Sequence, residues 1–546
     1  MRLLPGFFLA FALSFPVIFP DATQAQPKTP ALQMRVASID SLMQSFFLLA
    51  DRVGRQEEAK QLEGMLKGAT GPDGIQGLDP KRPMGLYGTI GPNGVDSEAV
   101  LAVPSLDDEK MLGALSVLAA ALGGKLEKGK AGAVHTLNLD QSPFPIYFRF
   151  AKKYCWATLR DEATISLARL PDPETFFQSR PGSLVSLRFD LNGVPENLRQ
   201  MAVDQLKEKL NEAREQGPAD ETAKQKDFRL KVANAMEKGL VDFLKEGGAL
   251  GAELGLDREA DELYMGMELT PRLGGELAQS WNALTDQQTV GGGLAKQGSA
   301  MALAINMKIP DSLHQSLAAV LEELRIQALA KEKDPVKKEL AQSMFAAISP
   351  TLVAGKFDMG MALSPSKGGD RYSMVMGLKV QEGQKVEGLL RKLATAPAKG
   401  DENKVTMDIA KVGSVNLHQF EQGAKDDQGA KDLFGTGPGF FAVREDALLI
   451  GAGPDGLAQL KQALASKPGP SPLFSCEMGF AQFARVADRN LPREKMEKAA
   501  KKAFGKVPDA DRLRILMESN NGIKASIRLK TPVLTFFNEL DPNRTN

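Results

Sequence analysis

The chain has 546 residues, and its 68 Lys and Arg balance 68 Asp and Glu, so the formal net charge at pH 7 is zero. That balance argues against a nucleic acid or an anionic membrane surface as the main partner, since either calls for a basic excess. Two cysteines exclude a disulfide framework, and the length suffices for two to four domains with sizeable cores.

The chain opens MRLLPGFFLAFALSFPVIFPDATQAQP. Arg2 supplies a positive start, Leu3 to Phe19 an apolar stretch, and Thr23-Gln24-Ala25 a small-residue cleavage motif. Residues 1–25 therefore read as a signal peptide cut between Ala25 and Gln26. Pro5, Pro16 and Pro20, and a length below the roughly 20 residues of a span, disfavour a retained anchor. The expected product is exported, periplasmic or extracellular, without a later membrane span.

Strand-like alternation and helical periodicity then follow one another in a recurring order. An opening strand leads into a helix at LQMRVASIDSLMQSFFLLA, SLVSLRFDLNGVPENLRQMAVDQL, SAMALAINMKIPDSLHQSLAAVLEEL and PLFSCEMGFAQFARVA. A hairpin followed by a helix recurs around 84–120, 250–285, 353–395 and 512–540. Four β-α-β-β-α copies are expected, giving an α+β fold of antiparallel sheets with helices packed on one face. YCWATLRDEATISLARLPDPETF (154–176) also matches GFFAVREDALLIGAGPDGLAQL (439–460), through Arg160-Asp161-Glu162-Ala163 and Arg444-Glu445-Asp446-Ala447. We therefore expect two homologous halves, 30–285 and 300–540, joined by a Gly-rich linker at 286–299, DQQTVGGGLAKQGS. The charged segment 196–246 reads as two amphipathic helices broken at Gly217-Pro218, forming a solvated face.

Cys155 alternates with Ala157 and Leu159, and Cys476 with Phe474, Met478 and Phe480, which predicts two buried thiols. A single long-range disulfide stays open. Only His135, His314 and His418 occur, none with a second ligand at zinc spacing, so no metal is expected. His135 and His418 fall near the same strand of the two halves, two residues out of register. GAGPDG (451–456) has dinucleotide-motif spacing, but its counterpart ARLPDP (168–173) lacks every glycine, so a tight strand-to-helix turn is the expectation. No catalytic constellation and no cofactor site is evident.

The methionines raise the one question of soft-metal chemistry. LYMGMEL (263–269), FDMGMAL (357–363) and YSMVMGL (372–378) carry M-x-M pairs of the kind that hold Cu(I). Pairing across the loop at 364–373 is expected to oppose Met361 to Met374 and Met359 to Met376. Leucine, isoleucine or alanine fills related positions elsewhere, so these methionines read as pliable core filler. The opposite face carries Tyr264, Gly266, Glu268, Gly360 and Gly377, and this small-residue surface is where a groove would be sought. In LRILMESNNGIKASIRL, face agreement requires a three-residue loop, Asn520-Asn521-Gly522 with Gly522 left-handed, pairing Met517 with Ala525 and Ile515 with Ile527.

A signal peptide, strand–turn–acidic-helix units and AVREDALLIGAGPDGLAQL-like segments resemble a group of large exported bacterial proteins known only as domains of unknown function. The resemblance implies an exported α+β protein and supplies no site residues. The leading expectation is a soluble, non-enzymatic binding or scaffold protein with an unidentified protein or apolar small-molecule partner. A carrier of a lipid-like apolar ligand is the alternative, and an exported hydrolase with dispersed residues a third.

Overall fold

In a computed structural model of the chain, the described residues are 30–70, 75–94, 96–130, 133–140, 142–159, 161–214, 222–284, 289–294, 299–308, scattered residues of 318–351, 354–367, 371–395, 405–421, 428–483, 493–505, 507 and 509–541. Residues 1–25, expected as a signal peptide, with Gln26, Arg160, Gly217-Pro218 and His314 lie outside them. Contacts divide the described chain into two compact units. The first takes residues up to Leu48, Gln56–Leu206 and Leu244–Gly255, and the second Leu49–Arg55, Lys207–Phe243 and the chain from Leu256 onward.

The first unit holds β1 (Leu32–Val36), β2 (Met84–Thr89), β3 (Glu98–Pro104), β4 (Gly124–Glu127), β5 (His135–Leu139), β6 (Ile146–Ala151), β7 (Tyr154–Leu159), β8 (Ser183–Asp190) and most of β9 (Gly247–Asp257). They pair antiparallel in the order β9-β8-β1-β2-β3-β7-β6-β5-β4. On one face Tyr87, Val100, Tyr154 and Trp156 pack with Ile165 and Phe177, and the Trp156 indole N–H donates to Ala151 O at 2.9 Å. The burial of the Trp156 ring is thus matched by a satisfied polar edge.

The second unit holds β10 (Glu262–Pro271), β11 (Met301–Lys308), β12 (Lys356–Pro365), β13 (Tyr372–Lys379), β14 (Val405–Val412), β15 (Val415–Phe420), β16 (Gly439–Val443), β17 (Ala447–Ala452), β18 (Phe474–Gly479), β19 (Arg512–Ser519) and β20 (Ile523–Lys530). Their antiparallel order is β10-β20-β19-β18-β11-β12-β13-β17-β16-β15-β14. An α+β architecture with extensive antiparallel sheet is therefore observed.

Several expectations change in detail. The compact units do not follow the halves 30–285 and 300–540: Leu49–Arg55, Lys207–Phe243 and β10 fall in the second unit, where β10 pairs with β20 from Glu262↔Lys530 to Leu269↔Ile523. The stretch expected as a linker contains a short helix, Val290–Leu294, with Val290, Gly291 and Leu294 buried. Its first two N–H groups, of Val290 and Gly291, donate to the buried Asp358 carboxylate at 2.9 and 3.0 Å. A side chain on Gly291 would meet Met359 O at 2.6 Å, so the glycine is there for close approach rather than flexibility.

The stretches 154–176 and 439–460, expected to match, differ in local structure. After β7 the chain makes a short 3-10 turn, Glu162–Ile165, with the Asp161 carboxylate accepting from Ala163 N, whereas Ala447 opens a strand. GAGPDG does form a turn, leading from β17 into the helix Gly456–Ala465. Gly453 sits at φ +84° where a Cβ would strike Tyr372 O.

The last hairpin has the expected register, Ile515↔Ile527 and Met517↔Ala525. Its left-handed residue is Asn521 at φ +54°, while Gly522 takes φ +152°. In the third hairpin the register differs by two residues: Met361 faces Met376, Met359 faces Leu378 and Leu363 faces Met374. Both cysteines are free. Cys155 is buried as expected, but Cys476 is half-buried.

Candidate functional site: an apolar sheet face closed by a buried histidine

Strand alternation sends successive side chains to opposite faces, so cross-strand register defines rows across each face. One row of the second unit runs Met265, Ile527, Ile515, Cys476, Leu303, Met361, Met376, Ile450, Phe441 and His418. The next runs Met267, Ala525, Met517, Phe474, Ile305, Met359, Leu378, Leu448 and Val443. Ten strands thus present one continuous apolar face.

Its burial is uneven. Toward β14 the helix Gly383–Thr395 covers it, packing Val386 and Leu389 on Phe441, Val443, Leu448 and Ile450. Toward β10 it is open: Met265 is 47% exposed, Met267 51%, Met307 48%, Met517 39% and Ile527 37%. The thioethers expected as core filler are therefore half-buried or exposed. Scattered surface apolar residues are ordinary, but a patch continuous over several strands marks a contact surface.

The small-residue face is the buried one where it meets the helix Val290–Leu294. A Cβ on Gly360 would lie 2.5 Å from Gly291 Cα, and one on Gly377 2.5 Å from Leu294 Cδ1 and 2.7 Å from Val290 Cγ1. These two glycines are filled by protein and line no groove. Toward β10 the same face becomes a ladder of charges, with Glu268 paired to Lys524 at 3.1 Å and Glu477 to Arg514 at 3.1 Å. Tyr264 is buried opposite Arg528, while Gly266 has open space above it. The five residues proposed as groove-lining are thus split between a packed helix seat and an ion-paired surface.

His418 closes the first row. Its ring is fully buried, 4.9 Å from the Phe441 ring, and Nδ1 accepts the Asp408 N–H at 3.0 Å. Asp408 offers that N–H from a left-handed residue (φ +59°), within an irregularity of β14 between Thr406 and Ala410. Among the described residues Nε2 has no hydrogen-bond partner, and it lies 3.7 Å from Glu387 Oε1. Arg391 binds both Asp408 oxygens at 2.6 and 2.7 Å and Glu387 Oε1 at 2.6 Å. Burial holds His418 below its ordinary pKa, opposed by Asp408 and Glu387 and aided slightly by Arg391.

Glu387, Asp408 and His418 are close enough to suggest a metal site. The tautomer argues otherwise. Nδ1 accepts a backbone N–H, so the single proton of a neutral imidazole sits on Nε2, the nitrogen facing Glu387. A cation on Nε2 would force Nδ1–H against Asp408 N–H, and both carboxylates already engage Arg391. The group is an ion-paired cluster of Glu387, Asp408 and Arg391 around one buried, protonated Nε2, rather than a ligand set.

The first unit repeats the arrangement at His135. Nδ1 accepts Gly129 N–H at 3.2 Å, and the ring stacks on Phe148 at 5.1 Å, its cross-strand neighbour. Its pKa is also lowered, by burial first and then Lys128. The row leading to it is Ala252, Leu187, Met34, Leu86, Leu101, Ala157 and Phe148, with Leu101 exposed. His135 and His418 thus each end a cross-strand row opposite a phenylalanine, Phe148 and Phe441.

Sequence reasoning missed Asp358, Glu387, Arg391 and Asp408. Asp358 had a signal, as a lone acid in an apolar strand, whereas Asp408 meets His418 at an irregularity of the β14–β15 hairpin and Glu387 and Arg391 reach it from a packed helix. No helix among the described residues is long and apolar enough to cross a membrane. Comparison with protein-family models, curated protein sequences and solved structures gives no match.

Proposed function

We propose that the chain is an exported, non-enzymatic binding protein that receives an apolar partner on the methionine-rich sheet face. The observation carrying this reading is the exposure of Met265, Met267, Met307, Met517 and Ile527 along neighbouring strands of one face. Methionine suits such a surface, because its unbranched, polarisable side chain repacks against different shapes. Against catalysis stands the burial of His418, whose ring cannot meet a substrate without opening the fold.

The two units also favour descent from a duplicated α+β ancestor with repeated β-α-β-β-α parts. Reading β1 as β11, β2 as β12 and onward to β9 as β19 turns the first order into β19-β18-β11-β12-β13-β17-β16-β15-β14, the order found in the second unit. The matched rows ending at His135 and His418 support the same frame. The likeness to exported bacterial domains of unknown function fits this reading.

An open face favours a partner laid across the sheet over a small ligand enclosed in a cavity. The cleft bordered by Leu294, Leu449, Ala463, Ser466 and Lys467 holds only about 10 Å³, roughly room for one water. Native mass spectrometry of the chain purified from its own compartment tests the reading. A bound second protein or lipid-like molecule supports it, and a bare chain under conditions that preserve weak complexes contradicts it.

A further inference from the structure

We propose that Met265, Met267, Met307 and Met517 form an oxidation-sensitive patch, and that their conversion to sulfoxides switches the apolar face to a polar one. The inference rests on the binding reading above, and adds a modification site and its regulation.

Strand register sets the geometry. Met265 and Met267 flank Gly266 on β10, and Met267, Ala525 and Met517 lie in one cross-strand row. Met307 lies on the same face of β11, opposite Phe357. From β10 to β11 is four strand spacings, about 19 Å. Each of the four side chains is between 39% and 51% exposed, whereas Met111 and Met496 are 6% and 5% exposed in packed cores. Leucine would supply the same apolar area at these positions. A thioether adds the ability to be oxidised and restored.

The chemistry is a two-electron transfer to a peroxide. A sulfur lone pair attacks the nearer peroxide oxygen, the S–O bond forms and the O–O bond breaks. The second oxygen leaves as hydroxide and takes the proton carried by the transferred oxygen, giving the sulfoxide and water. The thioether is oxidised and the peroxide reduced. The product is a polar, chiral sulfoxide that methionine sulfoxide reductases return to the thioether. Four such dipoles would make burial of this face against an apolar partner unfavourable unless each found a donor.

The test uses the full chain, hydrogen peroxide as oxidant and anilinonaphthalene sulfonate as the apolar probe. Peptide mass spectrometry should find sulfoxide at Met265, Met267, Met307 and Met517 before Met111 and Met496. Probe affinity should fall about tenfold, with an unchanged far-ultraviolet spectrum, and return after reductase treatment. A chain with all four changed to Leu is compared with itself before and after peroxide, and should lose no affinity. A chain with Met65→Leu and Met201→Leu, which alters exposed helix positions outside the face, should remain sensitive.

Equal oxidation of Met111 and Met496, unchanged probe binding by the oxidised chain, or equal loss in the four-leucine chain would each overturn the proposal. Failure of the untreated chain to bind the probe would instead count against the apolar binding face, and the order of oxidation would still decide the modification site.

Discussion

Gly360 and Gly291 meet backbone to backbone, with so little room that a Cβ at 360 would lie 2.5 Å from Gly291 Cα. The contact seats the helix Val290–Leu294 on β12, and Asp358, two residues before Gly360, caps its N-terminus. Gly360→Ala must push the helix away, which should cost about 1–3 kcal/mol, the usual range for overpacking. Gly266→Ala, with open space above the strand, should be neutral or slightly stabilising. Urea unfolding of the two variants checks the contrast, and equal effects would refute the packing account.

Asp358→Asn tests the cap. The amide retains one acceptor oxygen for two buried N–H groups and loses the charge that favours a helix N-terminus. A loss of about 1–2 kcal/mol is expected, read from the shift in denaturation midpoint.

The buried histidines make stability depend on pH. Both folded-state pKa values lie below the ordinary value of 6.5, so the unfolded chain binds protons first as pH falls. Their contribution is fully present above pH 6.5, declines as pH falls toward the folded values, and levels off below them. Protonated His418 would turn an Nδ1–H toward Asp408 N–H. Thermal unfolding between pH 7.5 and 5 should show a falling midpoint, with a shallower slope in a His135→Gln, His418→Gln chain. An unchanged slope would remove the histidines from the account.

Arg391 lies beside His418 and disfavours its protonation. Removing the guanidinium in Arg391→Met leaves Glu387 and Asp408 as the near charges, so the His418 pKa should rise. Nuclear magnetic resonance titration of the histidine ring protons measures this directly. A downward shift would mean that loosened packing, rather than charge, dominates.

The Cys155 thiol, pushed up to about 12 by burial and then by Asp108, should resist alkylation at neutral pH until the chain unfolds. Rapid labelling of the native protein at Cys155 would contradict its place in the core.

Local pattern made much of the fold legible. Alternation located the hairpins, and face agreement set the register Ile515↔Ile527 without structural information. The same logic misjudged which face of β12 is buried. Phe357, Met359 and Met361 are more apolar than Asp358, Gly360 and Ala362, yet burial was decided by a five-residue helix from another part of the chain. Small residues on that face were the mark of a backbone contact, and nothing within the strand identified its partner. The register of β12 with β13 was misjudged because both faces of each strand tolerate either alignment. His418 drew attention by its rarity, but Glu387, Arg391 and Asp408 come together through a helix packed on a distorted edge strand.

Charge placed within the open face provides the most direct test of a binding role. Met267→Lys and Met517→Lys together put two ammonium groups in one cross-strand row while leaving the helix-covered face untouched. Native mass spectrometry should find an apolar partner on the unchanged chain and none on the double variant, with both chains equally folded by circular dichroism. Retention of the same partner by the double variant would contradict the assignment of this face as the binding surface.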